Sequence, residues 1–395
     1  MNRRDFLKLL AVFAISSYLG SSNSVKKNKI VIVGAGIIGI TLAYELSKAG
    51  ANVVLLDKKY PGSQASGNTF AWINATYPKT PYAYNLFSQL GMEAYRVLEK
   101  EAELKIKWSG SLEWFNDKQL EKDTLKKVKS LMTYKRYSPV NIISGSQAEK
   151  IEPGFNYSDA KVIFSKSDGA IDIDDALIKI VKKIKLFGGK LIYPCEYQSS
   201  NFANGKLKSL NTTIGEIQAD KVIFTAGIDS NKLVGRQVLQ EATPGIIMKS
   251  KPHDKLMEKM IIGPGIHLHQ QMDGVIVFGE QAGAPPTHGD RLKYKPNKFP
   301  PGFGKDHAER MIQNTNFFLK NNLELEVADI SIGWRPLPKD GQPIIGWLPN
   351  QPDSYIATMH SGVSLAAITA QIVAMEILDG SSNKLLNNFR PTRFF

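Results

Sequence analysis

A chain of 395 residues exceeds one average domain, so two closely connected domains and a sizeable core are expected. A hydrophobic fraction of 43% and 32 glycines fit a globular α/β protein and speak against disorder or a fibre, while the single cysteine, Cys195, excludes an internal disulfide and a thiolate metal cluster. The net charge of +13 is dispersed as lysines among apolar positions, as in Lys182-Lys183-Ile184-Lys185, with no aromatic-basic stripe, so it reads as a solvated surface and not a nucleic-acid interface.

Residues 1–24 read as an address. Asn2-Arg3-Arg4-Asp5-Phe6-Leu7-Lys8 resembles a twin-arginine export signal, with Asn where Ser or Thr is commoner, and a short apolar run from Leu9 to Ile15 leads to a small polar stretch ending at Ser24. The apolar run is shorter than the roughly twenty residues of a membrane span. No A-x-A site precedes Val25, so cleavage stays open. The expectation is export of a folded, cofactor-loaded protein, periplasmic or membrane-associated. No later segment is read as a span.

Lys29 to Val33 is a continuous β-branched run, the pattern of a strand buried on both faces. It enters Gly34-Ala35-Gly36-Ile37-Ile38-Gly39, a helix follows through Leu42, Ala43 and Leu46 to Gly50, and a strand from Asn52 to Leu56 ends in Asp57 and Lys58. Gly34 permits a tight turn, Gly36 lets backbone approach a pyrophosphate, and Gly39 lets helix and strand pack closely. The phosphates belong at the helix N-terminus, beside Ile37 and Ile38, where free N–H groups and the dipole favour negative charge. Asp57 can accept hydrogen bonds from ribose hydroxyls. NAD and FAD both use such a unit, so the rest of the chain must decide between them.

A small polar loop, Ala65-Ser66-Gly67-Asn68, is suited to a second phosphate and a ribityl chain. Amphipathic helices are expected over Asn85–Leu104 and Asp175–Leu186. Lys221 to Phe224 forms a strand running into Thr225-Ala226-Gly227, small residues over which a cofactor can pass. His267 and His269 alternate on a strand from Ile266 to Gln270, so they share one face, which looks either into a pocket or to solvent. A polar, Pro- and Gly-rich stretch over 284–302 reads as a lid or a passive loop. The C-terminal part holds Gly333-Trp334-Arg335-Pro336, Asp340-Gly341-Gln342-Pro343, a strand from Tyr355 to Thr358, and His360-Ser361-Gly362-Val363-Ser364 opening an apolar helix through Leu378.

These blocks, with Gly110-Ser111-Leu112, Ala219-Asp220-Lys221-Val222 and Arg390-Pro391-Thr392-Arg393-Phe394, resemble the D-amino-acid oxidase family of FAD-dependent oxidoreductases across nearly all of residues 28–395. The resemblance implies a Rossmann-type FAD-binding domain from residues 25–85, 145–235 and 325–395. An interleaved α+β substrate domain, built on a mostly antiparallel sheet, would come from 86–144 and 236–324. It implies non-covalent FAD and oxidation of a small-molecule amine or amino acid by hydride transfer from the carbon bearing the amine. Arg335 would be the carboxylate clamp, a planar fork matched to two oxygens. Residues 360–364 would face the flavin, where a helix N-terminus stabilises negative charge. His267 stands where relatives carry a substrate-holding tyrosine, a departure that unsettles a glycine or simple D-amino-acid assignment. Oxygen and a membrane quinone both remain open as acceptor. Two other readings stay open: an NAD-dependent dehydrogenase on the same unit, for which the C-terminal blocks have no role, and a non-catalytic exported flavoprotein.

Overall fold

The computed structural model describes residues 28–76, 79–134, 140–157, 159–241, 243–280, 302–320 and 324–395. The address over 1–24 and all but the last residue of the Pro- and Gly-rich stretch lie outside them.

Two large sheets organise the molecule. The first has six strands in the order Ile344–Trp347, Ser354–Thr358, Lys221–Phe224, Lys29–Val33, Asn52–Leu56, Lys190–Ile192, parallel throughout except for its first pair. Lys29–Val33 lies at its centre, with Val31 opposite both Val54 and Val222. The β-branched run therefore meets apolar side chains on both faces, and Val31 and Ile32 are fully buried. Ile30 and Ile32 pack beneath the helices Ile37–Lys48 and Gly362–Asp379, while Val31 and Val33 join a cluster with Tyr197, Leu207 and Leu210 of a three-stranded antiparallel sheet.

The second sheet has eight strands in the order Val327–Arg335, Thr243–Pro252, Val275–Gly279, Ile266–Gln270, Met260–Gly263, Ser111–Glu113, Lys161–Ser165, Val140–Ser144. All its pairs are antiparallel except Met260–Gly263 with Ser111–Glu113. One face packs Leu112, Phe164, Leu268 and Phe278 against Ala308 and Met311 of the helix Phe303–Asn316. Ile247, Ile262 and Val277 of the other face gather with Phe70.

Three segments sit elsewhere than the sequence division put them. The helix Tyr82–Ala102, most of it assigned to the substrate domain, packs Phe87, Leu90, Tyr95 and Leu98 into the core beside Ile30, Ile32 and the helix Gly362–Asp379. Lys161–Ser165 and Val327–Arg335 were expected within the cofactor domain, yet both are strands of the eight-stranded sheet, because their backbone groups pair with Ser111–Glu113, Val140–Ser144 and Thr243–Pro252. The chain thus passes between the sheets immediately after Arg335, which places that side chain at their junction.

The expected helices appear as Tyr82–Ala102 and Ile173–Leu186, the second capped by Asp172, whose carboxylate accepts from the Asp175 N–H. Gly362–Asp379 corrects the expectation that no later segment could span a membrane. By length and composition it is apolar enough to do so, but in the fold it is a core helix, buried against Ile37–Lys48 and Tyr82–Ala102.

Candidate active site

The glycine turn closes on the far strand. Gly34 has φ +109°, and a Cβ there would lie 2.7 Å from the Thr225 carbonyl oxygen. A Cβ at Gly39 would lie 2.0 Å from the Gly34 oxygen and 2.6 Å from Thr225 Oγ1, so Gly39 serves close packing and does not border the cavity. Thr225 Oγ1 in turn donates to the Gly34 carbonyl at 2.7 Å. Asp57 accepts from the Ala35 N–H through Oδ2 and from the Lys59 N–H through Oδ1, both at 2.8 Å, so it braces the turn besides facing the cavity. Burial pushes its carboxyl upward and those two hydrogen bonds pull it back. Lys58 pairs with Asp229 at 2.6 Å beside it.

The polar loop is fastened on both sides. Ser66 Oγ accepts from the Ile37 N–H at 2.9 Å, and Asn68 Nδ2 donates to the Gln64 and Ile332 carbonyls, both at 3.0 Å, tying the loop to the strand that carries Arg335. Gly67 donates its N–H to the Gly62 carbonyl and lies behind the cavity wall.

One cavity of about 620 Å³ joins these parts, within the rough 300–1,000 Å³ range of small-molecule sites. It runs from Asp57, Lys58 and Cys195, past the glycine turn and Ala65, Ser66 and Asn68, to Thr225, Ala226 and Gly227 and on to His267, Arg335, His360 and the helix start at Gly362, Val363 and Ser364. At this last end the lining residues Asn74, His267, Arg335 and Thr358 each hold one buried side-chain atom with no protein partner among the described residues: Oδ1, Nε2, Nε and Oγ1. Unpaired buried polar atoms are costly, and these four stand on residues that line one end of the cavity. Among the described residues, the Arg335 side chain makes one hydrogen bond, from Nη2 to the Pro244 carbonyl at 3.2 Å.

The two histidines separate in role. Both touch the Phe70 ring, His267 at 4.0 Å and His269 at 4.9 Å between centroids, so they share a face as their spacing implied. His267 borders the cavity. His269 is set back, with Nε2 against the Phe70 carbonyl oxygen at 3.0 Å, and supports the wall instead of meeting a ligand. Burial holds His267 down to about 3, reinforced by His269 and Arg335, and holds His269 down to about 4. His360 is likewise lowered to about 4, by the surrounding protein first and then by Arg335 and Lys79, although its side chain keeps exposed surface where it borders the cavity. Each of these imidazoles is therefore neutral at physiological pH.

The profile of the DAO family, described as FAD dependent oxidoreductase, matches residues 29–375. This chain belongs to the DAO family of FAD-dependent oxidoreductases. A bifunctional ThiO/ThiG protein of Trichormus variabilis is 22% identical over 92% of this chain, which spans 55% of that relative's length. An opine oxidase polypeptide of Rhizobium meliloti is 22% identical over 92% of this chain and 97% of its own. The crystal structure of glycine oxidase from Geobacillus kaustophilus superposes with a TM-score of 0.82 at 17% identity, covering 93% of this chain and all of that one, a likeness of fold.

FAD is the cofactor of this family, which removes the nicotinamide alternative. The residues present fit it. Asp57, the glycine turn with Ile37 and Ile38, and the Ala65–Asn68 loop would hold the ADP half, and residues 360–364 with Asn74, His267, Arg335 and Thr358 would surround the ring. Cys195, whose N–H donates to the Asp57 carbonyl at 2.7 Å, stands at the opposite end from the ring, which agrees with non-covalent binding.

Sequence reasoning missed Phe70, Trp72, Asn74, Lys79 and Tyr84, all of which border the cavity. Phe70, Trp72 and Asn74 alternate directly after the polar loop, a period-2 signal that could have marked one wall. Lys79 follows Tyr77-Pro78 and precedes Thr80-Pro81, and no pattern there sets it apart.

Proposed function

We propose that this flavoprotein oxidises a carboxylate-bearing amine, an amino acid or an N-substituted amino acid, at the carbon that carries the nitrogen. The observation that carries the reading is Arg335, a half-buried cation at the junction of the sheets that lines the same cavity as the neutral His267. Bound FAD supplies the two-electron acceptor. The chain's own groups orient the substrate: the Arg335 fork takes the carboxylate in paired hydrogen bonds, and the His267 imidazole is left to hydrogen-bond the nitrogen. The apolar walls of Phe70, Trp72 and Ile262 keep water from the reacting carbon. Loss of hydride leaves an imine, which water hydrolyses to a carbonyl compound and an amine after release. The names of the relatives, an opine oxidase and a glycine oxidase, support the amine class and leave the individual substrate open.

The N-terminal arginine pair supports a second part of the proposal: the enzyme is exported folded and passes its electrons to oxygen or to a membrane quinone. Fractionation of cells carrying Arg3→Lys with Arg4→Lys tests it, with retention in the cytoplasm expected and undiminished export contradicting it.

The catalytic reading is tested by anaerobic bleaching of the flavin with a panel of amino acids and N-alkyl amino acids. Arg335→Ala is expected to raise KM for carboxylate substrates by about 100-fold, the loss of roughly 3 kcal/mol from a charge-assisted pair. Unchanged turnover in that variant removes the clamp, and no bleaching by any amine favours a non-catalytic flavoprotein.

A further inference from the structure

Asp168 is fully buried, and among the described residues no cation stands within ion-pair distance of it, although its charge reaches Lys79 from farther off. Four hydrogen bonds take the place of a counter-ion. The Ser165 and Thr76 hydroxyls donate to Oδ1 at 2.8 and 2.9 Å, and the Ser111 hydroxyl and the Trp72 indole N–H donate to Oδ2 at 2.7 and 3.0 Å. Burial pushes the carboxyl upward and these four donors pull it back. A buried carboxylate is costly unless its lone pairs are filled, so the positions of all four donors are closely specified.

The donors come from different sheets. Ser111 and Ser165 belong to strands of the eight-stranded sheet, whereas Trp72 lies on the strand Trp72–Ile73, which pairs with Gly169–Ile171 in a small three-stranded sheet. Of the four donors, only Trp72 borders the cavity. It packs against Phe70, Ile247 and Ile262, which border the cavity with it, and the Phe70 ring meets Trp72 edge-on at 6.5 Å and His267 at 4.0 Å. The main chain of the same segment is held separately: Ser364 Oγ donates to the Trp72 carbonyl at 3.0 Å and accepts from the Asn74 N–H at 3.2 Å. The helix Gly362–Asp379 thus fixes the backbone, and Asp168 fixes the ring. An anionic acceptor holds an N–H more strongly than a neutral one, so the tether at Nε1 keeps the indole in one orientation.

We propose that Asp168 is a positioning residue, which sets the Trp72 indole as the wall against which the apolar body of the substrate packs. The inference rests on the carboxylate-bearing amine read from Arg335, and it narrows that class to substrates with an apolar group on the carbon or the nitrogen. Trp72, Phe70, Ile247 and Ile262 offer such a group ring and aliphatic surface, while Arg335 takes the carboxylate. An indole free to swing would let the substrate carbon drift, and small displacements of a reacting atom are costly in rate. Asp168 acts through that ring, since none of its other donors borders the cavity.

Two carboxylates, acetate and phenylacetate, test this without turnover in the FAD-loaded protein, with Kd read from the flavin absorbance. The parent is expected to bind phenylacetate at least tenfold more tightly than acetate. Asp168→Ala is expected to weaken phenylacetate at least tenfold and to keep acetate within threefold. Asp168→Asn still offers Trp72 a carbonyl oxygen, while the Thr76 and Ser165 hydroxyls turn to accept from its amide, so both ligands should stay within threefold. Trp72→Phe cuts the tether from the ring side and is expected to repeat the loss seen in Asp168→Ala, with the double variant losing no more than either single one. If the Ala variant loses FAD, Trp72→Phe and Asp168→Asn carry the test. Equal loss of both ligands, an unchanged phenylacetate Kd, additive losses, or a parent without preference for phenylacetate each overturn the proposal. Arg335→Ala separates it from the reading beneath it: the clamp requires both ligands to weaken together, so unchanged affinity there removes the clamp and not the Asp168 tether.

Discussion

Asp57 commits both carboxylate oxygens to backbone N–H groups, one of them inside the glycine turn, while its side chain still borders the cavity. Removing it therefore removes a ligand acceptor and releases the turn at once. Asp57→Ala is expected to weaken FAD binding by about 10- to 100-fold, from the roughly 1.5–3 kcal/mol of a charged hydrogen bond, as read by fluorescence titration of the apoprotein. A Kd unchanged in that variant would mean that the acid serves the fold alone. At this scale the chain was legible where function is local. Gly34, Gly36 and Asp57 lie within one strand-helix-strand unit, so spacing alone locates them. Lys79 and Tyr84 reach the cavity only because Tyr82–Ala102 packs on the C-terminal helix, and nothing in their own neighbourhood announces that.

The contact between those two helices depends on Gly91. A Cβ there would stand 2.6 Å from the Ser364 carbonyl oxygen, in the first turn that faces the ring end of the cavity. Gly91→Ala must push the helices apart, and overpacking of this kind costs about 1–3 kcal/mol. A lowered Tm together with looser FAD retention is expected from thermal melts and cofactor release assays. A variant with parental Tm and parental FAD affinity would show that the interface yields freely. Elements were legible to within a few residues where periodicity was strong, as in Ile266–Gln270, Asn52–Leu56 and Lys221–Phe224, which stand where their patterns put them. Assignment of strands to sheets was not. Val327–Arg335 reads as a strand by itself, and only its pairing with Thr243–Pro252, distant in sequence, says which sheet it joins.

Across the whole molecule, the cavity lies where a parallel sheet and an antiparallel sheet meet, and its polar end carries imidazoles kept neutral by burial. For His267 and His269 the folded-state pKa values, about 3 and about 4, lie below the ordinary value of 6.5. Their contribution to stability is therefore complete above pH 6.5 and is lost as pH falls toward 4, where the unfolded chain binds protons that the folded chain refuses. Each such proton is worth about 1.4 kcal/mol per pH unit. Thermal melts are expected to lose several degrees between pH 6.5 and 5, and His267→Asn with His269→Asn should flatten that slope. An unchanged slope would assign acid sensitivity to other groups. The most direct test of the central claim is a crystal structure of the FAD-bound protein with a small carboxylate inhibitor. The flavin ring should lie between residues 360–364 and the His267 strand, with the Arg335 guanidinium on both inhibitor oxygens. A ring placed elsewhere, or an inhibitor bound away from Arg335, would contradict it.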